Sequence, residues 1–299
     1  MIDYGLRLSL LDLVRSISQA LNLVSPGMAV HHNQVAYISY KICEALGYRE
    51  DDCMTIAMSA ALHDIGALSL EEKLDNLRFE DRHIHNHAEL GHRLLDTFKP
   101  FRPLAVFVKY HHQRWSQGAG LDAGDAGIPE GSHIIHLADR MAVLINDREN
   151  ILLQKENICR QIETQRDSYF KSEHIDALWT VAQKDYFWLD LISCSLNDIL
   201  EDLFRWKTVK LDIEELVEYC RFLSRIVDFR SPLNANHSSG VAASSAALAK
   251  LAHMSDLECT MMLMAGYLHD VGKLAVPTTI LEKPGPLNQN ERAIIKSHA

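Results

Sequence analysis

Apolar residues recur at helical spacing along almost the whole chain. Leu6, Leu10, Leu13, Val14, Ile17 and Leu21 form one stripe, closed by Ser25-Pro26-Gly27. A second stripe runs from Val35 to Leu46 and is closed by Gly47. Asp51 and Asp52 sit where acidic side chains favour a helix start, so a third helix is predicted through Ile56 and Ala60 to His63. Further stripes cover about 88–98, 104–110 and 132–145, and most of 150–205. Alternating runs of Val, Ile or Thr bounded by turn residues are nearly absent. The pattern predicts an all-α fold.

The pattern also repeats. LDLVRSISQALNLVSP (11–26) aligns without gaps to VEYCRFLSRIVDFRSP (217–232), an offset of 206 that pairs Arg15 with Arg221, Ser18 with Ser224 and Pro26 with Pro232. The same offset carries His31 to His237, Val35-Ala36 to Val241-Ala242, Leu62-His63-Asp64 to Leu268-His269-Asp270, and Gly66 to Gly272. One register held this long predicts two copies of a helical domain, at 1–146 and 211–299, joined by a helical connector over 147–210. An offset of 206 in a chain of 299 residues leaves 93 for the second copy, while the first runs to about residue 145. The chain stops at Ser297-His298-Ala299, inside a helix predicted to begin near Gln289. The second copy is therefore expected to be incomplete, in a truncated product or a fragment of a longer protein.

A length of 299 residues suits about two domains, and 47% apolar with 23% charged residues is an ordinary globular balance. The formal charge of −10 argues against non-specific binding to a nucleic acid polymer or an anionic membrane. A small anionic ligand remains compatible where metal ions or a few cations meet its charge. MIDYGLRLSL has no basic n-region and h-region, and the longest apolar stretch is Met261–Leu268, so neither a signal peptide nor a membrane span is expected. Six scattered cysteines form no CxxC pair and read as reduced thiols of a cytoplasmic protein.

Histidine is the anomaly: of 16, 11 fall between His31 and His136. The candidate ligands are His31, His63-Asp64, His87, His111-His112 and Asp139. Imidazole nitrogen and carboxylate oxygen together suit Fe, Mn, Ni or Zn, and a carboxylate can bridge two cations about 3.5–4 Å apart. Seven ligands exceed the needs of one ion and suit two. His83, His85, His92, His174 and His253 read as satisfied or exposed side chains. His133 and His136, on the same helix as Asp139, are expected behind the ligands or at the surface.

HHNQVAYISYKICEALGY, AALHDIGALS, HAELGHRLL, VKYHHQRW and SHIIHLADR resemble the successive motifs of the HD superfamily of metal-dependent phosphohydrolases, and more narrowly its HD-GYP branch. GYLHDVGKLAVPTTILEKPGPLNQNERAIIKSHA in the second copy is the more faithful match. The resemblance covers about 11–145 and 211–299. It implies hydrolysis of cyclic di-GMP or a related cyclic dinucleotide by a hydroxide bridging two divalent metals. One metal would be held by His31, His63, Asp64 and Asp139, the other by bridging Asp64 with His87, His111 and His112. In the second copy the matching ligands are His237, His269, Asp270 and His298. Asp64 thus carries a catalytic role, as does Lys273, the HDxGK lysine that faces the phosphate. The Glu that some members use for a third metal is Gly27 here, and Leu233 in the second copy, so two metals are expected.

Each copy departs from the family pattern. In the first, Ala67 replaces the lysine, the segment with Gly118 and Gly120 lacks the Gly-Tyr-Pro triplet, and Arg140-Met141-Ala142 follows Asp139. The second has Lys273 but ends before the His-His pair, the loop and the final Asp. Two further readings follow: a regulatory or dimerisation module that binds metal or nucleotide without turnover and controls the C-terminal copy, and hydrolysis of another nucleotide or phosphomonoester. A homodimer is expected from the apolar helices at 1–24 and in the connector.

Overall fold

The computed structural model describes residues 6–24, 28–67, 85–116, 127–204, 208–229, 237–281 and 283–298. The Ser25–Gly27 stop signal, Pro232 and Leu233, His83, and Gly118 and Gly120 lie outside them. The described residues form two compact units: one contains 6–24 and 208–298, the other 28–67 and 85–204.

The fold is helical, as the periodicity requires. In chain order the elements are β1 (Leu6–Ser9), α1 (Leu10–Val24), α2 (Met28–Ala45), α3 (Glu50–Ala61), α4 (His85–Asp96), α5 (Arg102–Lys109) and α6 (Glu130–Val143). Then come α7 (Ile151–Glu163), α8 (Ser172–Ala182), α9 (Asp185–Leu191), α10 (Leu196–Phe204), β2 (Thr208–Leu211) and α11 (Ile213–Phe229). The second copy continues with α12 (His237–Leu251), α13 (Asp256–Leu268), α14 (Thr278–Leu281) and α15 (Gln289–Lys296). Among the described residues no helix is long and apolar enough to cross a membrane.

One departure is local. Leu6–Ser9 pairs antiparallel with Thr208–Leu211, Leu6 opposite Leu211 and Ser9 opposite Thr208, so the first helix begins at Leu10 rather than Leu6. A ladder partner outweighs helical spacing over four residues, and Ser9 Oγ accepts the Leu11 N–H (3.2 Å) at the helix start. In this unit α1 packs beside α11: the Tyr219 hydroxyl donates to Leu13 O (3.0 Å) and also meets Ser16 Oγ. Leu13 and Tyr219 are 206 apart, so these are corresponding positions of the repeat.

In the other unit α2 is the central element, packed by α3, α6 and α8. Val35, Ala36, Ile38, Ile42 and Cys43 are buried on it, and α6 is buried from Gly131 to Ala142. Gly47 closes α2 at φ 76°, with Tyr48 N–H reaching back to Cys43 O (3.1 Å), a left-handed cap that glycine adopts without strain. The connector helices lie against α2. The Tyr37 hydroxyl donates to Asp190 (2.5 Å), its ring stacks on Phe187, and Gln34 donates to Leu191 O (3.0 Å).

The second copy repeats the α2–α3 pair as α12–α13, with α12 ending and α13 starting at the positions the offset requires. Gly266 lets the two helices touch: a Cβ there would lie 2.4 Å from Ala242 Cα. Its outer face is open. Leu248 is 66% exposed where its counterpart Ile42 is 0%, and Met262 is 39% exposed where Ile56 is 5%. In the first copy α6 covers that face, with Gly131 against Ile56.

His174, buried on α8, contacts Glu130 (3.3 Å), and burial is the main cause that pushes its pKa from 6.5 down to about 4. The unfolded chain therefore takes up this proton first as pH falls. The stability of this unit should be fully present above about pH 6.5 and decline toward pH 4 by about 3 kcal/mol. His174→Phe is expected to flatten that decline, measured as urea midpoints across the range.

Candidate metal centre

Residues His63 and Asp64 follow the last turn of α3. The His63 ring donates through Nδ1 to Ala60 O (2.7 Å), which turns Nε2 inward as a lone-pair donor. His111, at the end of α5, does the same through Val108 O (2.6 Å). His31 comes from α2, His87 from α4, His112 from beside His111, and Asp139 from α6.

These side chains converge. His63 Nε2 lies 3.3 Å from Asp64 Oδ2 and 3.7 Å from Asp139 Oδ1, and His31 Nε2 lies 3.1 Å from Asp139 Oδ1. The other oxygen of Asp64 faces a different group: Oδ1 is 3.4 Å from His87 Nε2 and 3.9 Å from His111 Nε2. His87 Nε2 is also 2.8 Å from His112 Nε2 and 3.4 Å from His111 Nε2. Two groupings result, Asp64-His87-His111-His112 and His31-His63-Asp64, each with donor atoms within 4.8 Å of one another. All seven predicted ligands of this copy are buried, at 7% exposure or less. Imidazole nitrogens turned toward each other repel unless a proton or a cation lies among them, and this nitrogen–oxygen donor set suits borderline divalent ions.

The electrostatics agree with a cation-binding cavity. Burial alone would raise Asp64 and Asp139, yet both sit well below the ordinary carboxylate range. His63, His87 and His111 hold Asp64 down; Arg140, His31 and His63 hold Asp139 down. Burial would lower His63, but Asp64 and Asp139 carry it up to about 9. Burial and neighbouring imidazoles push His111 and His112 well below 6.5, keeping them neutral and able to donate a lone pair.

Close approach depends on glycine. A Cβ on Gly66 would lie 2.1 Å from His87 O, so only glycine lets the His87 backbone pass against the turn after Asp64. The second copy reproduces this, a Cβ on Gly272 lying 2.0 Å from His298 O. His298 thus stands where His87 stands, although they are 211 apart rather than 206. His237 and His269 lie 3.3 and 3.1 Å from Asp270 Oδ2, and His298 lies 3.4 Å from Oδ1. His269 donates through Nδ1 to Gly266 O (2.8 Å), repeating the His63 arrangement. Lys273 Nζ reaches Asp270 Oδ2 (2.6 Å), whereas Ala67 at the matching position is buried.

Two residues went unassigned in the sequence. Arg140 is fully buried and clamps Asp139 Oδ2 through Nη2 (2.5 Å) and Nε (3.1 Å). His32 is buried with its ring edge-on to His63 (5.2 Å), and the His31-His32 doublet, like His111-His112, was the available signal. His133 and His136 are both buried, which removes the surface alternative. His133 donates through Nδ1 to Gln113 O (3.1 Å), and the His136 ring stands 6.2 Å from that of His112.

Helices presenting His and Asp from the end of one helix and from its packing neighbours define a class of helical domain with a candidate divalent-metal centre. The HD domain family model matches residues 15–155 and 221–299, and the chain belongs to that family. It is 25% identical over 294 residues to the 3'3'-cGAMP-specific phosphodiesterase 1 of Vibrio cholerae, covering 95% of this chain and 68% of that protein. A cyclic di-GMP phosphodiesterase of Thermotoga maritima is 34% identical over 83 residues, 28% of this chain and 23% of that protein. In fold, the chain is similar to the crystal structure of a cyclic GMP-AMP specific phosphodiesterase of V. cholerae, V-cGAP3. There the TM-score is 0.71 at 21% identity, over 98% of this chain and 78% of that one.

Gly66→Ala should force the His87 backbone away from the Asp64 turn. The clash is with backbone, so the expected cost is about 3 kcal/mol, the upper end for overpacking. Urea unfolding should show a lowered midpoint for the unit holding 28–67 and 85–204, with the other unit unchanged.

Proposed function

We propose that this chain is a metal-dependent phosphodiesterase of the HD-GYP type that hydrolyses cyclic dinucleotides, among them cyclic di-GMP. The observation that carries the reading is the split of Asp64, one oxygen toward His63 and the other toward His87 and His111. A carboxylate shared in this way is suited to bridge two cations. His31, His63, Asp64 and Asp139 would hold one, and Asp64, His87, His111 and His112 the other. Two such ions, when bound, supply Lewis-acid polarisation of a phosphoryl oxygen and a water of lowered pKa. The chain's own residues set the stage for that chemistry. The carbonyls of Ala60 and Val108 fix the ring tautomers, Arg140 holds Asp139 in place, and burial keeps bulk water out. In the 211–299 copy, His237, His269, Asp270 and His298 form a partial set, and Lys273, which pairs with Asp270 Oδ2 (2.6 Å), would meet the phosphate.

A second reading has its own support. Ala67 stands where the other copy has Lys273, so the 1–146 copy lacks the cation of that lysine. That favours a non-catalytic metal-binding module, tied through the 147–210 connector, that controls the C-terminal copy.

Metal analysis together with turnover separates the readings. Wild type is expected to carry two divalent ions in the first copy, and Asp64→Ala to lose both. Hydrolysis of 3'3'-cGAMP or cyclic di-GMP by the variant should fall on the order of a thousandfold. Full metal content without turnover of any cyclic dinucleotide would favour the regulatory module. Absence of bound metal would overturn both.

A further inference from the structure

Two residues beyond the His111-His112 pair, the chain runs alongside the loop that joins α7 to α8. Trp115 N–H donates to Tyr169 O (3.0 Å) and Ser116 N–H to Ser168 O (2.7 Å). Between the two segments lies an open groove of about 290 Å³, lined by Arg114, Ser116, Asp167, Ser168 and Tyr169. Ser116 (φ 46°) and Asp167 (φ 58°) face it from left-handed backbone conformations that side chains other than glycine adopt at a cost.

The groove carries one donor array and one acceptor. The Arg114 guanidinium carbon lies 4.0 Å from the centre of the Tyr169 ring, a cation–π contact that holds the group beside the ring without itself using its N–H groups. Asp167 accepts from Ser172 Oγ through Oδ1 (2.6 Å), which orients the carboxylate. Its Oδ2 has no partner among the described residues. A path of rings leads from here to the metal ligands: Tyr169 stacks on His136 (6.2 Å, 26°), and His136 stands 6.2 Å from His112.

We propose that this groove binds a guanine base of the substrate, next to the centre that would cleave the adjoining phosphodiester; this rests on the cyclic-dinucleotide reading above. Guanine offers acceptors O6 and N7 on one edge, which match an arginine fork. It offers donors N1–H and the N2 amino group on another, which match a carboxylate. Adenine puts an amino group toward the fork and a bare N1 toward the carboxylate, so each edge meets its own kind. A site built to hydrogen-bond a group rejects the analogue lacking it far more strongly than an apolar pocket does.

The test is a calorimetric titration of the full chain with 5'-GMP and with 5'-AMP, metal content being measured on the same samples. Wild type is expected to prefer GMP by about tenfold or more, the scale of a charge-assisted hydrogen bond. Asp167→Asn, which keeps a residue tolerant of the left-handed conformation, and Arg114→Gln are each expected to lose that preference with metal content unchanged. Equal affinity for AMP, absence of GMP binding, or unchanged GMP preference in both variants overturns the proposal. A GMP preference lost in the variants, in a chain that hydrolyses no cyclic dinucleotide, sustains the groove and overturns the reaction instead.

Discussion

An imidazole can offer a lone pair to a neighbour only if its other nitrogen has somewhere to place a proton. His63, His111 and His269 each solve this locally, donating through Nδ1 to the carbonyl three residues back, at the end of a helix where the last carbonyls keep accepting capacity. The rest of the centre depends on this pairing. It turns the end of a helix into a rigid mount, and it sets which nitrogen faces the acids. Because the mount belongs to the helix terminus, the fold can carry the ligand to a fixed point without help from the loops around it.

Much of this was legible in the sequence. Helical spacing gave the elements, since α2 and α3 bury their apolar positions at the expected intervals, and the constant offset of 206 exposed the repeat. The ligand order along the chain identified the residues that converge. What was not legible depends on orientation or on partners remote in sequence. Leu6–Ser9 looked like the start of a helix because Leu6 and Leu10 share a helical face; only Thr208–Leu211 makes it a strand. Arg140 read as a departure from a family pattern, and its burial against Asp139 is visible only in three dimensions. The two-sided use of Asp64 was implied by the family resemblance and not by spacing, since a side-chain rotation sets it. His298 was named by the motif resemblance rather than by the offset, which changes between the two ligand positions, and the Gly272 contact sets it where His87 stands.

The two copies diverge in complementary ways. The first assembles seven buried candidate ligands but places an alanine after its glycine, Gly66-Ala67. The second keeps the lysine, Gly272-Lys273, against Asp270, yet leaves Leu248 and Met262 in solvent where the first copy has α6 over the matching residues. Charge and packing have been redistributed between copies of one design. One copy has the seven converging His and Asp side chains, the other the basic side chain.

The placement of α1 has a topological consequence. The strand and helix at 6–24 belong with 208–298, so the unit holding 28–67 and 85–204 lies in the chain between two parts of the other rather than ahead of it like a bead on a string. The backbone must pass from one unit to the other and back again. A single nick at either passage leaves the two covalently tethered through the remaining one, and cutting the chain just before Thr208 strips β1 of its ladder partner. Liberating the inserted unit intact takes two cuts, and rejoining the host takes a splice.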